Sequence, residues 1–234
     1  MVDLTANYAQ ILGRIGTAAQ RAGRNPRDIK LVAVSKTHPP SVLIEAIEAG
    51  ISIFGENKVQ EAEDKITEIG RSRAEWHLIG HLQSNKARKA VQLFDVIHSV
   101  DSVELAERLE RICIEEGRKA LPVFVQVDLA GEETKSGIAE ADLPEIVEFL
   151  RGCQRLRFSG LMVLPPFFDE PEATRPFFIR LREIRDALVA QNAFTDRRGE
   201  LSMGMSHDFE VAVEEGATVV RVGTAIFGER RYNR

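Results

Sequence analysis

Ile29-Lys30-Leu31-Val32-Ala33-Val34-Ser35-Lys36 is a short apolar and β-branched run, and Thr37-His38-Pro39-Pro40 turns the chain at its end. Residues of this kind fit a buried strand. An amphipathic segment of helix length follows, about residues 41–49, and stops at Gly50, a residue suited to helix termination. The same strand–turn–helix unit recurs outward from this stretch. Strands are expected at 51–54, 76–79, 96–99, 122–127, 157–163, 201–203 and 218–222. Helices are expected at 59–69, closed by Gly70, near 85–94, from Asp101 or Ser102 to Glu116, from about 171 to 191, and at 208–215. A further helix, 4–22, precedes the first strand, with Ile11, Leu12 and Ile15 on one face. Pro122 to Val127 is apolar and β-branched throughout, which suits a parallel strand covered on both faces. Eight such units after one extra helix indicate an α/β fold, a single closed (β/α)₈ TIM-like barrel. Alternation alone leaves a doubly wound open sheet as the other solution.

The 234 residues suit one barrel domain over 1–234, and no linker or low-complexity tract divides them. Hydrophobic residues at 44% and charged residues at 29% describe an ordinary globular chain. A net charge of −5 gives no electrostatic reason to expect nucleic acid or an anionic membrane as partner. No apolar stretch is long enough to span a bilayer, and no secretory signal is visible at the amino terminus. Two cysteines, Cys113 and Cys153, are too few for a disulfide framework. A cytoplasmic location is expected.

Active sites of parallel barrels gather at the carboxyl ends of the strands. Those ends carry Lys36, then Glu56-Asn57, His81, Ser99 with Asp101, Asp128, the Pro165-Pro166 turn, Ser202 with Ser206, and Arg221-Gly223-Thr224. Lys36 ends a buried strand, where desolvation disfavours the ammonium form and leaves a nucleophilic amine able to form an imine. The plainer alternative is a stem packed on the surface with its head in water. Ser202, Ser206, Gly223 and Thr224 follow the last two strands. Small residues there let backbone N–H groups approach an anion, and barrels commonly place phosphate sites in those loops. Tight turns that need glycine are the competing explanation. An imine-forming lysine facing a phosphate cradle suits pyridoxal phosphate or a phosphosugar held by an aldolase. Arg221, purely a donor, would keep a pyridine nitrogen unprotonated and make the ring a poor electron sink.

Several stretches resemble one family. They are Leu31-Val32-Ala33-Val34-Ser35-Lys36-Thr37, Phe54-Gly55-Glu56-Asn57-Lys58-Val59-Gln60-Glu61 and Trp76-His77-Leu78-Ile79-Gly80-His81-Leu82-Gln83-Ser84-Asn85-Lys86. Gly131-Glu132-Glu133-Thr134-Lys135-Ser136-Gly137, Leu201-Ser202-Met203-Gly204-Met205-Ser206-His207-Asp208 and Val220-Arg221-Val222-Gly223-Thr224-Ala225-Ile226-Phe227-Gly228 complete the set. The chain is similar, from about residue 30 to 228, to the pyridoxal phosphate homeostasis proteins, also called the proline synthase co-transcribed family. The resemblance implies a barrel like the amino-terminal domain of alanine racemase (fold type III) and pyridoxal 5′-phosphate held as an imine on Lys36. It also implies phosphate contacts from Ser202, Ser206, Gly223 and Thr224, Arg221 near the pyridine nitrogen, and Asn57 and His81 in the pocket lining. It implies a role in vitamin B6 balance without established turnover, with apo-enzymes that use the cofactor as possible partners and a monomer as the expected state. Lys58 departs from the family pattern, where an aromatic or other residue is expected.

An amino-acid racemase is the alternative function. Racemases of this fold carry a second domain supplying a catalytic tyrosine, whereas this chain stops six residues after Gly228 and has only Tyr8 and Tyr232. Two-base racemization needs an acid/base on each ring face, and only Lys36 offers itself. A phosphosugar lyase is a third possibility. His77 and His81 have helical zinc spacing but flank a strand end, where residues four apart lie about 13 Å from one another, so no metal is expected. The cysteines are expected as core filling, Gly13 to Gly16 lies in a helix without phosphate-loop meaning, and His207-Asp208 is expected to cap a helix. Lys135 is expected as an exposed loop lysine.

Overall fold

In the computed structural model, which describes residues 2–131, 136–196 and 198–228, eight parallel strands close into a ring. They are β1 (Lys30–Val34), β2 (Ile53–Glu56), β3 (Glu75–Leu78), β4 (Val96–Val100), β5 (Leu121–Asp128), β7 (Leu156–Val163), β8 (Glu200–Met205) and β9 (Val219–Val222), while the two-residue β6 (Ile138–Ala139) pairs only alongside β5. β1 pairs with β2 on one side and β9 on the other, and β4 pairs with β5, so the sheet closes. Closure decides against the open sheet, because no barrel strand is left with an unpaired edge.

The helices are α1 (Leu4–Arg21), α2 (Pro40–Glu48), α3 (Val59–Ile69), α4 (Ala87–Leu93), α5 (Val103–Glu115), α6 (Leu143–Gly152), α7 (Arg175–Ala190), α8 (Phe209–Glu214) and α9 (Thr224–Phe227). α5 shows how the local sequence builds one. Ser102 accepts from the Leu105 N–H at its start, and Leu105, Leu109, Ile112 and Cys113 bury one face. Glu116 ends the helix, and Gly117 at φ +66° lets the chain turn away. α1, capped by Asp3, packs along α8 and α9. Arg14 there makes a two-pronged bond to Glu210 (3.1 and 2.8 Å) and lies over the Phe209 ring.

Apolar side chains divide between two cores. The larger lies between strands and helices and includes Phe54 stacked on Trp76 at 5.5 Å. The smaller fills the barrel, with Val32, Val96, Phe124, Met162 and Val219. Period-two alternation sends Val32, Val34 and Lys36 to the same side of β1, and Val219, Arg221 and Gly223 to the matching side of β9. The β1–β9 register pairs Val32 with Arg221, so the two series rise together toward one end.

The element map differs from the sequence expectation at several points, among them the unexpected short β6 and α9. β2 starts at Ile53, not Ile51, because the Ile51 N–H bonds the Ala46 carbonyl and only Ile53 meets a ladder partner, Glu75. Its strand residues therefore extend to Glu56. The expected map has no helix between the fifth and sixth barrel strands, yet α6 lies there. Its Leu143, Ile146, Val147 and Leu150 follow a regular helical spacing that the two flanking strands overshadow. The expected His207-Asp208 cap also differs: Asp208 sits at the N-cap of α8 but makes no capping bond, and its carboxylate accepts from the Met205 N–H at 2.6 Å.

Candidate functional site

A cavity of about 620 Å³ opens at the carboxyl ends of the strands. Lys36, Asn57, Gly80, His81, Gln126, Ser206, Arg221, Gly223 and Thr224 line it, together with apolar Val34, Ile79, Leu164, Phe167 and Met205. Seven of the eight residues singled out from sequence thus share one pocket, and Ser202 does not.

Lys36 stands one residue beyond the buried Ser35 and is itself half-buried. Beneath it lies a polar cluster that the sequence did not reveal. The Lys65 ammonium, 4% exposed, donates to the Ser35 carbonyl (2.8 Å), Glu56 Oε1 (2.7 Å) and Glu61 Oε1 (2.8 Å). Ser35 Oγ donates to Glu56 Oε1 at 2.6 Å, and the Thr37 N–H donates to Glu61 Oε1. The backbone is therefore gripped on both sides of Lys36. Thr37 holds φ +70°, an unfavourable conformation for a β-branched residue, and this grip offsets its cost of about 1–3 kcal/mol. Glu56, one of the polar residues read at the strand ends, turns into this cluster, where Lys65 supplies its counter-charge. Burial nevertheless pushes its carboxyl above the ordinary range, against the pull of Lys65. Burial would also raise Glu61, but its bonds from Lys65 and Thr37 outweigh that and hold it below its usual value.

Arg221 forms the floor. It is 2% exposed, and its Nη1 donates to Ser202 Oγ (2.6 Å) and its Nη2 to the Val163 carbonyl (2.8 Å). Burial lowers its pKa to about 10, with Asp208 opposing, so the guanidinium stays charged at neutral pH. Ser202 was expected at the phosphate; its hydroxyl is instead fully buried behind the pocket, between Arg221 and His98 Nδ1 (2.8 Å). Ser202 lies three residues before the end of β8, so its side chain stays in the barrel interior, below the cavity that Met205 and Ser206 line.

Ser206, Gly223 and Thr224 do reach the mouth. The Gly223 N–H donates to Ser206 Oγ at 3.1 Å, which ties the loop after β8 to the loop after β9. The N–H groups of Ile226 and Phe227 both bond the Gly223 carbonyl, so those of Thr224 and Ala225 precede the first bond of α9. Gly204, at φ +90°, packs so closely that a Cβ would meet that of Ala212 at 2.5 Å. The close approach, with Asp208 on the Met205 N–H, sets the path of this loop.

On the opposite wall Asn57 lies against Gly80, where an added Cβ would meet the Asn57 carbonyl oxygen at 2.3 Å. Gly80 thus lines the site through this close backbone approach. His81 is exposed, and its Nδ1 lies 3.1 Å from Asp101 Oδ2. Burial raises the Asp101 carboxyl despite His81. His77 points away from His81, down into the barrel toward His98 and Glu75, so the two histidines share no ligand position. Burial pushes the Cys113 thiol up to about 11, which keeps it protonated in the outer core. Lys135 lies outside the described residues.

The lining suits a phosphorylated aldehyde. Residues bearing an amine, a guanidinium and hydroxyls line one cavity, and no carboxylate is among the described lining residues to repel an anion. Among the described residues no helix is long and apolar enough to cross a membrane.

Residues 7–231 match the family model described as alanine racemase, N-terminal domain. The chain is 42% identical over 224 residues to the pyridoxal phosphate homeostasis protein of Aquifex aeolicus, covering 96% of this chain and 97% of that one. It is 42% identical over 240 residues to the Escherichia coli protein of the same name, covering both completely. Among solved structures, PipY of Synechococcus elongatus with PLP bound is 44% identical with a TM-score of 0.81, over 92% of this chain and all of that one. An alanine racemase of Clostridium difficile, 18% identical with a TM-score of 0.73, shares the fold over 99% of this chain and 58% of its own. The chain belongs to the pyridoxal phosphate homeostasis protein family, built on the barrel of the alanine racemase N-terminal domain.

Proposed function

We propose that this chain binds pyridoxal 5′-phosphate in the cavity at the strand ends and serves as a carrier in vitamin B6 homeostasis rather than as an enzyme. The observation that carries the proposal is the convergence of Lys36, Arg221 and the Ser206–Gly223–Thr224 cradle on one cavity of about 620 Å³, within the usual range for small-ligand pockets. The cofactor supplies an aldehyde that condenses reversibly with an amine, losing water. Lys36 is that amine, held in place by the grip of Lys65 and Glu61 on its neighbours. Ser206 Oγ, Thr224 and the turn N–H groups hold the phosphate. Arg221 would meet the pyridine nitrogen; as a donor that cannot accept, it would leave that nitrogen unprotonated, so carbanion chemistry would be weakly supported. Asn57 and His81, in the lining of the same cavity, would flank the ring. The proposed working form is a cytoplasmic monomer, a single barrel domain over 1–234, that passes the cofactor to apo-enzymes.

The purified protein should absorb in the visible, and borohydride should fix the cofactor to the peptide carrying Lys36. Lys36→Ala should lose the reducible adduct. Equal fixation to the Lys36→Ala protein would overturn the assignment.

One observation favours a second reading, a racemase-like activity. His81, oriented by Asp101, lines the same pocket as Lys36, which is the arrangement of a side chain held for proton transfer. Exchange of a substrate α-proton separates the two readings.

A further inference from the structure

Below the pocket floor a row of polar side chains crosses the barrel. Arg221 Nη1 meets Ser202 Oγ at 2.6 Å, and Ser202 Oγ meets His98 Nδ1 at 2.8 Å. His98 Nε2 meets His77 Nδ1 at 2.8 Å, and His77 Nε2 meets Glu75 Oε1 at 2.8 Å. These residues come from β9, β8, β4 and β3, and the Ser202–His98 step spans the interior between strands that do not pair. The middle members are fully buried, and His98 stacks flat on Phe124 at 4.4 Å. Only Glu75, at the amino-terminal end of the barrel, reaches solvent.

Proton counting fixes the direction of every link. Arginine only donates, so Ser202 Oγ accepts from Arg221 and gives its own proton to His98 Nδ1. His98 is then neutral, with its proton on Nε2, and donates to His77 Nδ1. His77 is neutral in turn, with its proton on Nε2, and donates to the Glu75 carboxylate, which only accepts. The opposite orientation fails at Ser202, which would receive from both Arg221 and His98 and have no acceptor for its own proton. An unsatisfied donor in a dry core is costly.

We propose that Ser202, His98, His77 and Glu75 are positioning residues for Arg221, a one-directional hydrogen-bond chain through the barrel that fixes the guanidinium in the pocket floor. The groups around His98 agree with this protonation. Burial first, then the charges of Arg221 and Lys30, disfavour a positive His98, and its pKa is pushed well below the ordinary value. Bonded on one side by Ser202 and on the other by the Val163 carbonyl, the guanidinium cannot turn. The statement about protonation is independent of any ligand. The consequence for the cofactor ring nitrogen rests on the function proposed above.

Ring nitrogen resonances of ¹⁵N-histidine-labelled full-length protein read the protonation directly. The chain requires the same tautomer at His77 and His98, a single ring proton on Nε2. A proton on Nδ1, or an imidazolium, at either residue of the folded protein would overturn the chain. Adding pyridoxal 5′-phosphate should move the His98 Nδ1 resonance although His98 does not line the pocket. Ser202→Ala should abolish that response, and Ser202→Thr, which keeps the hydroxyl, should restore it. A response that persists in folded Ser202→Ala protein counts against the proposal. If Ser202→Ala does not fold, the wild-type protonation pattern decides alone. If absorbance shows no cofactor bound to wild-type protein, the functional proposal fails, and the protonation pattern still judges the chain.

Discussion

Replacing Lys65 with methionine tests how the turn that presents Lys36 is held. The change keeps side-chain length but removes three bonds, to the Ser35 carbonyl, Glu56 and Glu61. Glu56, fully buried, is left with the single bond from Ser35 Oγ, and its second oxygen has no partner even in the native protein. Removing one member of a buried pair costs about 3–5 kcal/mol, mostly from the stranded charge. That penalty should depend on pH. The folded Glu56 carboxyl is already raised by burial with Lys65 opposing, so losing Lys65 raises it further. A raised carboxyl takes up a proton more readily folded than unfolded, so stability is kept at low pH and lost as pH rises through the folded value. Urea unfolding followed by circular dichroism should therefore show a larger loss near pH 8 than near pH 5, at unchanged slope. Adding Glu56→Gln to Lys65→Met should recover part of the loss at the higher pH. A penalty below about 1 kcal/mol, or one equal at both pH values, would refute the reasoning.

The remaining predictions concern the pocket. Ser206→Ala or Thr224→Ala should each weaken binding of pyridoxal 5′-phosphate by about 1–3 kcal/mol, through loss of a charge-assisted hydrogen bond. Titration with pyridoxal should show much weaker binding than with the phosphate, and equal affinities would leave the cradle no role. Holo-protein incubated with single L-amino acids in deuterated water should show no α-proton exchange by NMR. Exchange at about 1 s⁻¹ or faster, abolished by Lys36→Ala and reduced by His81→Ala, would favour the enzyme over the carrier.

The repeating unit first seen at residues 29–50 was enough to read a (β/α)₈ barrel, because strand and helix periods are properties of consecutive residues. For the same reason Lys36, Asn57, His81, Ser206, Arg221, Gly223 and Thr224 could be singled out, since each follows or ends an apolar run and barrel sites gather at such ends. Alternation alone left an open sheet as the other solution, and what decided for closure is the β1–β9 pairing, which joins segments at opposite ends of the chain. The depth of a side chain along the barrel axis was not readable. Ser202 and Ser206 look equivalent in sequence, yet one residue lies behind Arg221 and the other at the mouth. Lys65 and His98 carried no local signal, and His77 and Gly80 showed only a histidine spacing and a family motif, not their partners. A buried lysine in a helix, histidines in apolar strands and a glycine beside a strand acquire meaning only from partners that the tertiary fold brings within bonding distance.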